Sequence, residues 1–171
     1  MSIEDGEPGL PGGWLTAEQQ RAWLVYMRVQ LRLRYEMNRQ LQNDSGLSLA
    51  DYDVLVALST APDRTMQMTE LANHIGWERS RTSHHVRRME SRDLLWLRPS
   101  PEDRRAVDIS PSDHGMRVFE KAVPGHIALV RGLVFEELPD DLLGSFAEVM
   151  ERIHDSLLAN GSLPPPKHPG Y

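Results

Sequence analysis

Apolar residues recur at every fourth position over one early stretch of the chain. They stand at Trp23, Met27, Leu31 and Tyr35. This spacing places them on one face of an α-helix, and Thr16 with Gln19 forms a capping box that starts the helix. The pattern predicts a helix that runs to about Leu41, roughly 40 Å long at 1.5 Å per residue. So long a helix has more apolar surface than one small core covers, so a second subunit is expected to cover it.

The middle of the chain predicts short helices followed by a hairpin. Ser48 and Thr69 are predicted N-caps, and Gly76 suits a helix C-terminus. The predicted elements are a helix Leu49–Thr60, an edge strand Met66–Met68, a short helix from Thr69 to Gly76, a helix Arg79–Arg92, and strands Leu94–Arg98 and Ala106–Ser110. Apolar residues alternate with others in both strands, which is typical of a half-buried hairpin.

Helical spacing returns in the last third of the chain. Ser112 is a predicted N-cap, and Pro124 with Gly125 is expected to kink or break the helix that follows. Pro139 opens the last predicted helix. The apolar stripe of that helix consists of Leu142, Leu143, Phe146, Val149, Met150, Ile153 and Leu157. Such a stripe must pack against another apolar surface.

The order of these elements predicts a mainly α fold with a winged helix-turn-helix at residues 47–111. Helices at residues 14–46 and 112–160 flank that unit, so we expect them to meet outside it as a dimerisation domain. Residues 1–13 and 161–171 are rich in glycine or proline and are predicted to be flexible tails.

Charge is distributed unevenly along the chain. The net charge is −6, which taken alone argues against nucleic acid as a partner. Residues 79–105, however, contain eight arginines and four acidic residues, a local charge of +4. A basic face on an acidic body suits a DNA-binding protein that avoids indiscriminate binding. The chain has no cysteine, which excludes disulfides and thiol-based sensing.

The helix predicted from Arg79 carries short polar and basic side chains on one broad side. Its candidate DNA-binding residues are Arg79, Ser80, Arg81, Thr82, Ser83, His84, Arg87 and Arg88. Short polar side chains and the helix N-terminus can approach phosphates, and arginine can pair with the O6 and N7 edge of guanine. A charged run is more often a solvated face. Here the preceding turn at Gly76 and the following hairpin favour DNA recognition.

The loop between the two strands ends in Asp103, Arg104 and Arg105. A hairpin tip of this kind can enter the minor groove, which is narrow, electronegative and attractive to arginine. Asp103 would hold an inserted guanidinium in place, and Arg98 completes the candidate set in the wing. The alternative is an ordinary type I turn with Pro101.

A set of positions between residues 71 and 115 matches a known pattern. They are Leu71, Ala72, Gly76, Ser80, Val86, Met89, Glu90, Leu94, Leu95, Arg98, Asp103, Arg104, Arg105, Val107 and Ser112 to Gly115. In these positions the chain resembles the MarR (multiple antibiotic resistance regulator) family of bacterial transcription factors, over roughly residues 20–158. Two positions depart from the family. Asp93 stands where glycine is usual, and Pro111 where leucine is frequent, which leaves the local geometry of the wing open.

The resemblance implies a homodimer of winged helix-turn-helix subunits that binds double-stranded DNA at a pseudo-palindrome. It places the helix Arg79–Arg92 in the major groove and Arg105 in the minor groove, with Asp103 as its support. Many relatives release DNA on binding a small aromatic or anionic effector where the dimer helices meet the winged unit. The residues available there are Trp23, Tyr26, Met27 and Tyr52. We favour the alternative that these four are simply core residues.

Seven histidines make a metal site worth testing. His84 and His85 lie about 100° apart on a helix and cannot easily share one ion. His114, His126 and His154 lie on the predicted dimer helices, where satisfied or solvent-facing histidines are favoured. No catalytic triad, carboxylate pair or glycine-rich phosphate loop stands out. We therefore expect no metal, no cofactor and no enzymatic activity.

The sequence as a whole predicts a homodimeric, sequence-specific transcriptional regulator, and we expect a repressor. The alternative is a ligand- or protein-binding dimer of the same fold without operator-specific DNA binding. An eroded basic helix and wing would favour that alternative, and both are intact. The first residues do not resemble a secretory signal, and no apolar run approaches the roughly 18 residues of a membrane span. A cytoplasmic location without membrane contact is therefore expected.

Overall fold

The computed structural model describes residues 15–101, 103 and 105–167. Within them the helices are Ala17–Ser45 (α1), Leu49–Thr60 (α2), Met68–His74 (α3), Arg79–Ser91 (α4), Asp113–Val130 (α5) and Asp140–Asn160 (α6). The strands are Met66–Gln67 (β1), Leu95–Pro99 (β2) and Val107–Pro111 (β3). A 3₁₀ turn, Pro62–Arg64, precedes β1, and a π-helical turn, Arg131–Phe135, follows α5. The mainly α fold with a small sheet is therefore confirmed.

The capping box predicted for α1 is present. The Thr16 N–H donates to Gln19 Oε1 at 2.9 Å, and the Gln19 N–H donates to Thr16 Oγ1 at 3.2 Å. The predicted end at Leu41 is wrong, because the helix continues to Ser45 and ends only where Gly46 adopts a φ of +70°. Packing divides the chain into two compact units, Met1–Tyr35 and Glu36–Tyr171, so the boundary falls inside α1.

The core lies in the second unit and is organised around α2. Ser48 caps α2 and forms a capping box with Asp51, so the predicted start of the helix is confirmed. The largest fully buried side chains include Leu41, Leu47, Leu55, Leu58, Met66, Leu71, Met89, Leu95 and Ile109. They come from α1, α2, α3, α4 and the sheet, so a single core joins α4 to the strands that follow it.

The helices α3 and α4 each end in a Schellman motif. At the end of α3 the Gly76 N–H donates to the Asn73 carbonyl and the Trp77 N–H to the Ala72 carbonyl, and Gly76 has a φ of +68°. The predicted Thr69 cap is wrong, because α3 begins at Met68 directly after β1 and its N-cap is Gln67, which makes no side-chain cap.

At the end of α4 the left-handed position is occupied by Asp93, with a φ of +57°. Its N–H donates to the Glu90 carbonyl, and the Leu94 N–H donates to the Met89 carbonyl. Aspartate tolerates this conformation better than most residues that have a β-carbon. The aspartate therefore gives the same turn that glycine would give at this position.

The three strands form an antiparallel sheet in the order β1-β3-β2. Ile109 in β3 lies opposite Met66 on one side and Leu97 on the other. The predicted edge strand is thus confirmed, and the two hairpin strands begin one residue later than predicted. Between the two strands, Asp103 and Arg105 are exposed.

The helix α5 begins at Ser112, which the sequence predicted as its cap. The Ser112 hydroxyl accepts the Gly115 N–H at 2.8 Å and donates to the Asp93 carbonyl. A β-carbon on Gly115 would lie 2.0 Å from the Leu94 carbonyl oxygen, so only glycine allows this approach. Of the two expectations at Pro124, a kink or a break, the break is wrong, because α5 continues past this exposed proline to Val130.

Replacement of Ser112 with alanine is expected to lower the free energy of unfolding by about 1–2 kcal/mol. The change removes a buried cap and also leaves the Asp93 carbonyl without its donor. Urea denaturation measures the loss. Thr16→Ala is the matched control, since Thr16 caps α1 at an exposed position. An equal or smaller loss for S112A than for T16A would contradict the prediction.

The apolar stripe of α6 is exposed along its length. Leu142, Leu143, Phe146, Val149, Met150, Ile153 and Leu157 each have at least 40% of their surface exposed. Apolar residues of α1, including Trp23, Leu24, Leu31 and Tyr35, are also exposed. An exposed apolar stripe of this kind is typical of a protein interface.

Over the described part of the chain, no helix combines the length and apolarity of a membrane span.

Candidate nucleic-acid interface

The outer face of α4 and the base of the wing line one groove of about 510 Å³. Its walls are Met68, Arg79, Ser80, Ser83, His84, Arg87, Arg105 and Val107. The positions 80, 83, 84 and 87 follow the spacing of one helix face. The groove therefore joins five of the eight residues predicted on α4 to one arginine of the wing.

The N-terminus of α4 opens into the same groove. Its N-cap is Glu78, which makes no side-chain hydrogen bond to the first turn. The first N–H groups of a helix have no partner within the helix, and the helix dipole adds positive potential there. These amides, together with Arg79 and Ser80, can bind the anionic oxygens of a phosphate.

The wing loop is held by bonds within its own backbone and by one carboxylate. The Asp103 carboxylate accepts the backbone N–H of Arg105 at 2.9 Å, and the Ser100 N–H donates to the Ala106 carbonyl at 3.0 Å. Asp103 thus contacts the backbone of Arg105, whereas the sequence assigned it to the guanidinium. This bond restrains the backbone at Arg105, whose side chain is exposed. The predicted Arg104 lies outside the described residues.

Thr82 does not belong to the exposed face of α4. Its side chain is fully buried, and its hydroxyl donates to the Glu78 carbonyl at 3.1 Å. The position falls on the side of α4 that packs on the core, next to Val86. The prediction that Thr82 contacts DNA is therefore wrong.

The other predicted arginines stack on aromatic rings or bond to a histidine. The Arg81 guanidinium lies 4.1 Å from the centre of the Trp77 ring, and Arg88 donates to His85 Nδ1 at 2.9 Å. In the wing, the exposed Arg98 lies over Trp96 at 5.5 Å. The broad basic side predicted for α4 thus consists of two faces, and Arg81 and Arg88 lie outside the groove.

Asp51 joins the second of these faces to the start of α2. Its carboxylate lies 3.0 Å from His85 Nε2 through one oxygen and accepts from Arg92 Nη1 at 2.8 Å through the other. Burial alone would raise the pKa of Asp51, but the adjacent His85 ring and the hydrogen bonds with Arg92 and Ser48 outweigh burial and hold that pKa well below its usual range. Asp51 is therefore a buried, ionised group.

The sequence interpretation missed this cluster. From the sequence, His85 was weighed only as a metal ligand, and Asp51 was given no role. Two signals were available in the sequence, the capping-box spacing from Ser48 to Asp51 and the helical spacing from His85 to Arg92. Neither signal indicates that the two helices meet, because the bond from Asp51 to Arg92 joins positions 41 residues apart.

The candidate effector residues are distributed over both compact units. In the first unit, Trp23 and Tyr26 are exposed and their rings stack 5.6 Å apart, and Met27 is half-buried. In the second unit, Tyr52 is buried between Phe119 and His126, with ring centres 5.3 and 4.5 Å away. Tyr52 is thus a packing residue, as the favoured alternative held, but that alternative is wrong for Trp23 and Tyr26, which are exposed.

The pKa values of Tyr52 and of the neighbouring His126 are both shifted from their usual values. Burial raises the pKa of Tyr52, and nearby Asp53 raises it further. Burial lowers the pKa of His126, while Asp53 opposes the shift. Both groups are therefore biased towards their neutral forms.

Among the described residues, no three histidine, aspartate or glutamate side chains form a group that could hold a metal ion.

Comparison with known proteins identifies the family. The MarR family model matches residues 45–106, which span α2, α3, α4 and the wing. The structure of Sco3205, a MarR family transcriptional regulator from Streptomyces coelicolor in complex with DNA, is similar with a TM-score of 0.82 and 35% identity. That match covers 90% of this chain and 96% of Sco3205. The chain belongs to the MarR family.

Other MarR family structures support the same assignment. AbsC, also a MarR family transcriptional regulator from Streptomyces coelicolor, matches with a TM-score of 0.80 and 30% identity, covering 87% of this chain and all of AbsC. BpsR from Bordetella bronchiseptica shares the fold, with a TM-score of 0.69 and 22% identity over 84% of this chain and 99% of BpsR. Its DNA binding is regulated by 6-hydroxynicotinic acid. No curated protein sequence matches the chain.

Membership of the MarR family confirms the resemblance drawn from the motifs. MarR proteins are DNA-binding transcription regulators and not enzymes, which also agrees with the sequence interpretation. The departure at Asp93 is accommodated by the left-handed turn described above.

Proposed function

We propose that this MarR protein is a homodimeric, sequence-specific repressor that binds a pseudo-palindromic operator. The observation that carries the proposal is the groove shared by the outer face of α4 and Arg105. A helix face of serine, histidine and arginine beside a wing arginine can contact the major and minor grooves of one duplex together. The DNA-bound structure of the similar Sco3205 supports this use of the fold.

Some residues of the groove would contribute to the affinity for DNA, and others would recognise its base sequence. Arg79 and the N-terminal amides of α4 would bind phosphates, which fixes the position of the protein on the duplex. Ser80, Ser83, His84 and Arg87 would face base edges, and Arg105 would enter the minor groove. Phosphate contacts carry no sequence information. Arg87 would instead face base edges, and arginine can pair with the O6 and N7 edge of guanine, so Arg87 is the best candidate for guanine recognition.

The exposed stripe of α6 supports a homodimer. Seven large apolar residues on one face of a helix need a cover, and a second copy of the chain offers the same face. Two copies related by a two-fold axis would place their α4 helices at half-sites about one turn of DNA apart. This arrangement explains why the operator should be a pseudo-palindrome.

A small aromatic acid is the proposed class of effector. The regulation of BpsR by 6-hydroxynicotinic acid shows that the fold accepts such a molecule in that protein. In this chain the exposed, stacked rings of Trp23 and Tyr26 offer apolar surface to an aromatic ligand. Release of DNA by the effector would make the protein an inducible repressor.

Enrichment of bound sequences from random duplexes tests the proposal. The expected result is one enriched motif with two inverted half-sites. Enrichment of no motif at moderate salt would contradict the proposal and favour a ligand- or protein-binding dimer of the same fold.

Replacement of Arg87 with alanine is expected to change which bases are preferred more than it changes the overall affinity. A bidentate arginine-guanine pair contributes about 1–3 kcal/mol of discrimination against the wrong base. Affinities for the enriched operator and for its single-base variants measure this effect. Arg81→Ala is the matched control, because Arg81 lies on α4 but stacks on Trp77 outside the groove. A uniform loss of affinity for all duplexes would instead make Arg87 a phosphate contact.

A further inference from the structure

On the side of α4 away from the groove, the Asp51 carboxylate contacts two side chains, His85 and Arg92. Asp51 is 2% exposed and belongs to the first turn of α2, where its capping box with Ser48 requires no group from α4. Nevertheless both of its oxygens contact α4 or the residue that follows it, one at His85 and the other at Arg92. The buried carboxylate thus contacts the recognition helix in addition to capping its own helix.

Arg92 contacts two neighbouring parts of the chain at once. Its Nη1 donates to Asp51 and its Nη2 donates to the Gly46 carbonyl at 2.9 Å. Gly46 lies in the connection between α1 and α2 and has a φ of +70°. The end of α4 is therefore bonded to that connection and to the first turn of α2, which restricts sliding of α4 along its axis.

His85 adds a second fixed point about two helical turns before Arg92. His85 Nδ1 lies 2.9 Å from Arg88 Nη2, and His85 Nε2 lies 3.0 Å from the Asp51 carboxylate. The edge of the same ring packs on Trp77 at 5.2 Å, and Arg81 covers Trp77. The ring is thus fixed on two sides, and it restricts rotation of α4 about its axis.

Apolar packing alone fixes this rotation poorly. The fully buried apolar side chains of α4 are Val86 and Met89, and apolar contact has no directional preference. Charge-assisted hydrogen bonds are directional and are lost when the donor turns away. We propose that Asp51 is a positioning residue for DNA recognition, which sets the rotation and register of α4 so that Ser80, His84 and Arg87 meet the base edges. The inference rests on the function proposed above.

Asp51→Asn tests the inference, because it keeps the shape of the side chain but puts an N–H₂ group opposite a donor. Affinities for the enriched operator, its single-base variants and an unrelated duplex are compared at several salt concentrations. The discrimination between the operator and its variants is expected to fall by about tenfold, as for one lost base contact. Affinity for the unrelated duplex is expected to change by less than about twofold, since the phosphate-binding charges remain.

Two matched controls separate positioning from stability and charge. Ser48→Ala removes the cap of the same helix turn and leaves the carboxylate on α4, so it is expected to lower thermal stability without changing discrimination. Asp113→Asn removes one exposed carboxylate elsewhere and matches the change in net charge. Both controls are expected to keep the wild-type discrimination.

Arg92→Lys decides the question independently if the Asp51→Asn protein does not fold. The Arg92 side chain is 45% exposed, and lysine keeps the charge available to a phosphate but cannot reach both Asp51 and Gly46 as a planar fork. Wild-type discrimination in R92K and in any folded D51N protein would overturn the positioning role while leaving the proposed function intact. A wild-type protein without sequence preference would overturn both.

Discussion

Replacement of Arg105 with alanine is expected to weaken operator binding by about 10- to 100-fold. The Asp103 carboxylate accepts the backbone N–H of Arg105, so in the proposed complex the Arg105 guanidinium would enter the minor groove at little cost in ordering. The slope of the logarithm of affinity against the logarithm of salt concentration should also decrease, by about 1 for each wing. Fluorescence anisotropy with labelled operator at four or more salt concentrations measures both effects.

Lys121→Ala is the matched control for charge. Lys121 is an exposed base on α5, away from the groove, and its replacement removes the same charge. Its affinity and salt slope should stay close to those of the wild type. Equal behaviour of R105A and K121A would show that Arg105 contributes only to the long-range field, and the wing would then have no direct contact with DNA.

Replacement of Phe146 with aspartate is expected to produce a monomer and to reduce operator affinity by about 100-fold or more. Phe146 is 41% exposed within the chain and lies in the middle of the α6 stripe. In the proposed homodimer it would be covered, and a carboxylate there would lose its hydration without gaining a partner. A monomer binds one half-site and loses the linked second contact. Sedimentation velocity and anisotropy measure the two effects.

Arg152→Ala gives the same change in net charge on the polar side of α6. Arg152 forms an exposed ion pair with Glu148 at 2.7 Å, and exposed pairs of this kind contribute little to stability. The R152A protein should remain a dimer with wild-type affinity. A dimeric F146D protein, or a monomer that keeps full affinity, would contradict the proposed role of the stripe.

Local signals in the sequence predicted the elements of the DNA-binding unit well. Ser48 and Pro62 bound α2 on both sides, and the predicted range Leu49–Thr60 is the observed one. The face of α4 could be predicted because serine, histidine and arginine repeat with helical spacing. Capping and periodicity act over four residues or fewer, so the sequence displays them directly.

Features that depend on distant parts of the chain were not predictable in this way. The burial of Thr82 follows from the packing of α4 on the core, and the carboxylate of Asp51 meets α4 only after folding. The continuation of α5 past Pro124 has the same origin, because an exposed proline in a helix that packs on α2 and β3 does not have to end it. Local propensity gave the wrong expectation where tertiary packing determined the outcome.

The bond from Arg92 to the Gly46 carbonyl has a consequence for the operator. Within each subunit of the proposed homodimer, the connection after α1 and the recognition helix would move together, and we expect the two α4 helices to keep one separation. Each base pair inserted between the half-sites rotates one of them by about 35° around the duplex axis. A dimer whose two α4 helices keep one separation would not follow that rotation. Genuine target promoters should therefore share one half-site spacing even where their base sequences diverge.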